Sequence, residues 1–272
     1  PSLNLKCNLN DKNSLRLGAS KTYTLPQAKE ISPYRYVGVN FNSQGNPNLK
    51  PSDHYNLDLK WDFNPTPTEL VSFTAFYKLI KNPISRIEVA SAGGYLSYEN
   101  IADKATVAGV EIEIRKNLFV RPVSNAAHGM NKLSLGLNGS YIYTNAKMPL
   151  ATVTTGSQLE GAAPWIVNFD LSHNFTKGER SFVNTLVLNY VSDKIYTIGT
   201  QGYQDMMEQG VLTLDFVSQA KLNKHLSLNL KARNLLNPSY KLSRKANESG
   251  EKVVLSDYKK GINISLGVSC TF

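Results

Sequence analysis

Ile262-Asn263-Ile264-Ser265-Leu266-Gly267-Val268-Ser269-Cys270-Thr271-Phe272 puts an apolar side chain at every second position and a small or polar one between. Successive side chains on a strand point to opposite faces, so a period of two means a ribbon with one greasy side and one wet side. Working back along the chain, the same period recurs. Tyr55, Leu57, Leu59, Trp61 and Phe63 alternate with Asn56, Asp58, Lys60, Asp62 and Asn64. Trp165, Val167, Phe169 and Leu171 alternate with Ile166, Asn168, Asp170 and Ser172; Leu226, Leu228, Leu230 and Ala232 alternate with Ser227, Asn229, Lys231 and Arg233. Apolar residues at helical spacing are not sustained in any stretch. The chain reads as all-β.

Counting such segments predicts about eleven strands, near 2–10, 14–25, 54–64, 69–90, 104–116, 132–146, 163–176, 181–194, 210–222, 226–240 and 254–272. Short polar turns at 11–13, 65–68, 177–180 and 223–225 alternate with long connections at 26–53, 91–103, 147–162, 195–209 and 241–253. Short turns on one side and long loops on the other are the layout of a transmembrane antiparallel β-barrel. The link at 117–131 departs from this, being long on the short-turn side. A soluble β-sandwich also alternates. Against it stand the strand lengths, the mixed Asn, Ser, Asp, Lys and Gly of the polar phase, and aromatics near strand ends, where interfacial belts lie.

Composition agrees. The 272 residues are 41% hydrophobic and 19% charged, which excludes a disordered or fibrous chain. Mean hydropathy is −0.29, since a barrel hides its apolar band in alternate residues. Lys and Arg number 30 against 21 acids, for a net charge of +9, but they are interspersed with acids rather than gathered on a basic face, and nucleic acid is not expected as a partner. Two cysteines, Cys7 and Cys270, allow neither a disulfide framework nor a cysteine zinc site; both fall in the apolar phase of the first and last strands. An odd strand count would leave two unpaired edges in lipid, where each unsatisfied backbone group costs several kcal/mol. With no leader ahead of Pro1, the expectation is a portion of a larger barrel.

Four segments resemble the TonB-dependent outer-membrane receptor family, in the family's order. Gly45-Asn46-Pro47-Asn48-Leu49-Lys50-Pro51 is similar to its "GNPNLKPE" segment, with Ser52 where Glu is common. Ala75-Phe76-Tyr77-Lys78-Leu79-Ile80-Lys81-Asn82-Pro83-Ile84 resembles "aFYkdIkn.I", and Gly109-Val110-Glu111-Ile112-Glu113 resembles "GvEle". Arg233-Asn234-Leu235-Leu236-Asn237-Pro238-Ser239-Tyr240 is similar to "NLlnk.Y". The resemblance implies a 22-stranded barrel plugged by an N-terminal domain. Residues 1–272 would then be its C-terminal portion, with the plug domain and signal peptide lying upstream. It further implies energy-coupled uptake across the bacterial outer membrane of a scarce nutrient: an iron chelate, cobalamin, or an oligosaccharide or peptide. The implied partners are outer-membrane lipid, the plug and the remaining barrel strands, the TonB energy-coupling complex, and the small ligand. Gly267, Cys270 and Phe272 resemble the C-terminal signal read by the barrel assembly machinery, with Cys270 where an aromatic is usual. The competing expectation is a passive porin or a complete smaller barrel, in which Cys7 and Cys270 would lie on neighbouring strands.

No catalytic, cofactor or metal residue is expected. His173 shares the lipid-facing phase with Phe169, Leu171 and Phe175, while Ser172 points to the opposite face, so the two do not make a nucleophile and base. Arg16, Lys60, Lys78, Glu111, Glu113, Arg115, Asp170, Asp215, Lys231 and Arg233 fall in the inward phase and predict a hydrated lumen. Tyr34, Tyr36, Tyr95, Tyr98, Tyr196 and Tyr203 lie in the long connections. Tyrosine offers flat apolar area with a hydrogen-bonding tip, which suits capture of a ring-bearing ligand. The last connection holds Lys241, Arg244, Lys245 and Lys252 against Glu248 and Glu251, an excess suited to an anionic solute or to outer-leaflet phosphates.

Overall fold

The computed structural model describes residues 1–91, 94–123, 129–148, 158–246 and 250–271. In chain order the elements are β1 (Ser2–Asn8), β2 (Asn13–Thr24), α1 (Ala28–Ile31), β3 (Arg35–Tyr36), β4 (Ser43–Gln44), β5 (Ser52–Phe63), β6 (Leu70–Lys81), β7 (Ile84–Val89), β8 (Tyr95–Asn100) and β9 (Lys104–Pro122). Then follow β10 (Met130–Ala146), β11 (Trp165–Lys177), β12 (Arg180–Val191), β13 (Lys194–Thr197), β14 (Met206–Glu208), β15 (Val211–Lys221), β16 (Leu226–Arg233), β17 (Ser239–Lys245), β18 (Lys252–Lys259) and β19 (Asn263–Cys270). Eleven of them form one antiparallel sheet in the order β1-β2-β5-β6-β9-β10-β11-β12-β15-β16-β19. This is the wall of a β-barrel. The other eight strands lie in the long connections.

Register carries one face across the whole wall. Leu5 stands opposite Leu17, Leu17 opposite Leu59, Leu59 opposite Ala75, Ala75 opposite Val110, Val110 opposite Tyr141 and Tyr141 opposite Trp165. The apolar phases of separate strands therefore merge into a single apolar surface, bounded near the loops by Tyr23, Tyr55, Tyr141, Trp165 and Tyr190 and near the short turns by Trp61, Phe63, Phe175 and Phe182. Tyr141 and Trp165 meet at 4.6 Å between ring centroids. Two aromatic belts flanking an apolar band mark the lipid-facing side. Within this side His173 accepts or donates a hydrogen bond with Asn131 at 2.9 Å, whereas Ser172 on the other face bonds Thr185 at 3.0 Å.

The opposite face is polar. Asn138, Asn168 and Asn189 stand in register on three strands and are joined by side-chain amide hydrogen bonds. The buried carboxylate of Asp62 lies 3.5 Å from both Arg16 and Lys60. Close approach also explains two glycines on this face. A Cβ at Gly109 would fall 2.4 Å from the Phe76 ring opposite it, and one at Gly136 would fall 2.1 Å from the Asp170 carboxylate.

The wall departs from the strand boundaries expected above at four places. The stretch 69–90 breaks after Lys81, because Asn82 is left-handed (φ 49°) and Pro83 has no N–H to continue the ladder. The stretch 226–240 breaks where Asn234 and Asn237 take positive φ; the Asn234 amide N–H bonds Asp215, and the Asn237 side chain accepts from Gly261. Gly261 (φ 79°) in turn divides 254–272 into β18 and β19. Finally, 117–131 is mostly strand: β9 runs to Pro122 and β10 begins at Met130, with a register shift at Leu133/Ser134. Residues 124–128 within that link lie outside the described residues.

Among the described residues, β1 pairs with β2 alone and β19 with β16 alone, so the wall has two open edges. Both faces of each edge strand are exposed. A buried apolar cluster of Ile87, Ile101, Ala102, Ala105, Ala146, Leu159, Ile195 and Ile198 lies where the loop ends of β9 and β10 meet the loop strands. Among the described residues no helix is long and apolar enough to cross a membrane.

Candidate functional site

Above the wall the connections fold on one another. One sheet has the order β3-β4-β8-β7 and the other β13-β14-β17-β18. They are joined where Ile87 bridges Ile198 in parallel, the Ile198 N–H donating to the Arg86 carbonyl at 3.0 Å and the Glu88 N–H to the Ile198 carbonyl at 3.1 Å. The Thr200 hydroxyl donates to the Glu88 carbonyl, and Arg244 pairs with the Glu88 carboxylate. The layer is thus continuous from β3 to β18.

The segment resembling "GNPNLKPE" clasps this layer to the wall. Gly45 packs against the end of α1, where a Cβ would fall 2.4 Å from the Ser32 carbonyl. The Asn46 N–H donates to the Glu30 carbonyl and its side-chain amide to the Tyr98 carbonyl. Asn100 accepts from the Lys50 N–H at 2.8 Å and donates to the carbonyls of Lys50 and Asn82. Ser52 donates to the Asn82 carbonyl at 2.6 Å.

Arg86 is the centre of the site. Its guanidinium donates to Glu160 Oε1 from Nη2 at 2.8 Å and from Nε at 3.2 Å, while its backbone N–H reaches Glu160 Oε2 at 2.5 Å. The same guanidinium lies 4.1 Å from the centroid of the Tyr196 ring, which is tilted against Phe41 at 6.4 Å. Tyr98 stands opposite Arg86 in the β7–β8 hairpin. Burial pushes the Tyr98 hydroxyl above its usual range, with Arg86 opposing. Burial likewise raises the Glu160 carboxyl, against the pull of Arg86 and with a further push from Glu30. The Arg86 guanidinium loses from burial and gains more from Glu160 and Tyr196, ending above its usual value.

Of the six loop tyrosines, Tyr98 and Tyr196 are brought together at Arg86. Three of the others each carry a cation over the ring: Lys29 over Tyr36 at 5.6 Å, Arg35 over Tyr95 at 5.3 Å, and Arg244 over Tyr203 at 5.2 Å. Tyr34 is exposed, as are Val37 and Val39. Cations of the last connection are engaged by acids: Lys241 with Asp257 at 3.5 Å, Lys252 with Asp193 at 3.8 Å, and Arg244 with Glu88. Of the terminal residues, Gly267 stands opposite Asn229 and Cys270 opposite Leu226 on β19, and Phe272 lies outside the described residues.

Cavities open in this layer. One of about 320 Å³ is lined by Asp193, Gln204, Asp205, Met207, Arg244 and Lys252. The second, of about 240 Å³ at the mouth of the wall, is lined by Glu30, His54, Ser85, Leu159 and Glu160 among others. None of the six loop tyrosines lines either cavity; the first offers cations and carboxylates, the second carboxylates and a histidine. Among the described residues no group of His, Cys, Asp or Glu converges as a metal site. Arg86, Glu88 and Glu160 escape a reading of the sequence. The Arg86–Tyr98 pairing follows from hairpin register, but Glu160 is 74 positions from Arg86 and Arg244 is 156 from Glu88, and nothing local couples them.

The sequence model of the family described as "TonB dependent receptor-like, beta-barrel" matches residues 1–235. The chain is 24% identical over 218 residues to the iron-regulated outer membrane virulence protein of Vibrio cholerae, covering 76% of this chain and 31% of that protein. Its whole length superposes on the ferric enterobactin receptor of Pseudomonas aeruginosa in complex with enterobactin (TM-score 0.63, 16% identity, 40% of that chain). It does so too on the siderophore receptor PirA of Acinetobacter baumannii (0.62, 17%, 41%) and on the copper transporter OprC (0.66, 14%, 40%). The chain thus spans about a third of the curated relative and about 40% of these structures.

Proposed function

The chain belongs to the TonB-dependent receptor-like β-barrel family of the bacterial outer membrane, and from that premise we propose that it is the C-terminal portion of a receptor for energy-coupled uptake of a metal chelate. The observation that carries the reading is the loop layer itself. Rings and charges are held there by a buried core and by the Arg86–Glu160 and Arg244–Glu88 pairs, at the loop end of the wall. A preorganised layer of this kind binds without first paying to order its loops. Tyr34, Tyr36, Tyr95, Tyr98, Tyr196 and Tyr203 are its proposed ligand contacts. The neighbours named above, a ferric enterobactin receptor, a siderophore receptor and a copper transporter, together with the iron-regulated relative, favour a metal chelate over cobalamin, oligosaccharide or peptide. The two open edges support completion by further strands of the same protein, because unpaired N–H and C=O groups in lipid cost several kcal/mol each. A plug in the lumen, the TonB complex below it and recognition of β19 by the barrel assembly machinery complete the proposal.

The test is uptake of a radio-iron catecholate chelate by cells whose own iron receptors are deleted and which carry the full-length protein. Receptor-dependent accumulation that a protonophore abolishes supports the reading. Entry that persists after the protonophore indicates a passive pore instead.

A further inference from the structure

The outward face of the wall is apolar through its middle, but beside the loop layer it carries a row of lysines. Lys81 stands directly opposite Lys104 on the β6–β9 ladder. Lys147 follows Ala146, whose partner is Ala105, and is therefore level with Lys104 on the next strand. Adjacent strands are about 5 Å apart, so the three Cα atoms fall within about 10 Å. Lys21 sits on β2 opposite Tyr55, and both Lys21 and Lys81 place their ammonium groups over the Tyr55 ring, at 5.5 and 5.3 Å from its centroid. Lys21, Lys104 and Lys147 are exposed. The carboxylate opposite Lys81, Asp53, is turned to Lys21 at 3.4 Å.

Like charges directly opposite one another destabilise a sheet, and Tyr55 relieves this for Lys81 without supplying negative charge. The row has the makings of an anion site, and its position limits what the anion is. Tyr23 and Tyr143, both exposed, flank the lysines at the aromatic belt, where headgroups lie. Below them the outward face continues as Leu57, Leu59, Ala75 and Val110, a surface for acyl chains.

We infer that Lys81, Lys104 and Lys147, with Lys21 beside them, hold the phosphate of a phosphorylated lipid of the outer leaflet against the outside of the wall. Lysine serves here as a point charge on phosphate, and the chains of the lipid lie along the apolar band beneath it. The inference depends on the lipid-facing side of the wall and not on what the loops capture.

The full-length receptor, purified in neutral detergent, is titrated with a phosphorylated glycolipid and with the same lipid enzymatically dephosphorylated, and retained adducts are counted by native mass spectrometry. Adducts of the phosphorylated form are expected, with affinity falling about a hundredfold in Lys81→Gln/Lys104→Gln/Lys147→Gln, since each lysine contributes about a factor of five. A heat-modifiable band shift reports folding of the variant. If it does not fold, the Lys81→Arg/Lys104→Arg/Lys147→Arg variant and the two-lipid comparison on the unmodified receptor decide the question. Equal retention of the dephosphorylated lipid, unchanged affinity in the glutamine variant, or displacement of the lipid by millimolar inorganic phosphate would each overturn the assignment, the last by pointing to a free-anion site.

Discussion

Glu160 is held at the loop layer by three hydrogen bonds from one residue, yet its carboxyl titrates above the ordinary 4.5 because burial outweighs them. The two roles separate on substitution. Glu160→Gln keeps the size and removes the buried charge but turns an NH2 towards one of the Arg86 donors that both carboxylate oxygens now accept from, and is expected to cost about 1 kcal/mol. Glu160→Ala leaves the Arg86 guanidinium without its partner and is expected to loosen β7 and β8 by about 1–3 kcal/mol. Hydrogen exchange of the β7 amides in the whole receptor measures both. The pH dependence has a definite sign. A carboxyl whose value is raised in the folded state binds its proton more tightly there, so its contribution is fully present below the ordinary carboxylate value and is lost as pH rises through the raised one. Protection of β7, corrected for intrinsic rate, should therefore rise on acidification through that window in the native protein and stay flat in Glu160→Gln.

The strands show how a motif letter becomes a contact. Gly109 opens the segment resembling "GvEle", and the ring of Phe76, from the segment resembling "aFYkdIkn.I", crosses the space where its Cβ would be. Gly139, on the lipid-facing phase of β10 and opposite Ile112, has nothing within 4 Å of an added Cβ. Gly109→Ala is expected to cost about 1–3 kcal/mol through displacement of Phe76 and the Tyr141 backbone. Gly139→Ala is expected to be neutral or to stabilise by up to about 0.5 kcal/mol. Urea midpoints of the folded receptor in detergent distinguish them, and equal costs at the two positions would contradict the packing account. The strand faces were legible from alternation alone, whereas the breaks at Asn82, Asn234 and Gly261 were not. The left-handed turns there are held by Asp103, Asp215 and Asn237, residues from elsewhere in the chain.

For the whole molecule, the placement of Cys7 and Cys270 separates a closed small barrel from a wall completed by other strands. Both thiols are free and exposed, on the two edge strands. A disulfide needs Cα atoms within about 7 Å. In a wall completed by further strands β1 and β19 are not neighbours, so diamide treatment of outer membranes should leave the two thiols uncrosslinked within one chain. An intramolecular Cys7–Cys270 disulfide, read by non-reducing peptide mapping, would mean that β1 and β19 meet.

Local physics reached the wall because the pleat of a strand is a two-residue property. Alternation alone marked Tyr55 through Phe63 as a membrane strand and assigned Arg16, Lys60 and Asp170 to the wet face. The loop layer belongs to another kind of information. Residues 84–90 read only as the end of a longer strand and 195–208 as a loop, and what they become depends on meeting each other at Ile87 and Ile198, and on Arg86 finding Glu160 and Arg244 finding Glu88. The six tyrosines were visible as a composition; which of them converge was decided in tertiary structure. Buried ion pairs and hydrophobic contacts between distant segments have energies set by three-dimensional proximity, and no spacing along the chain encodes that.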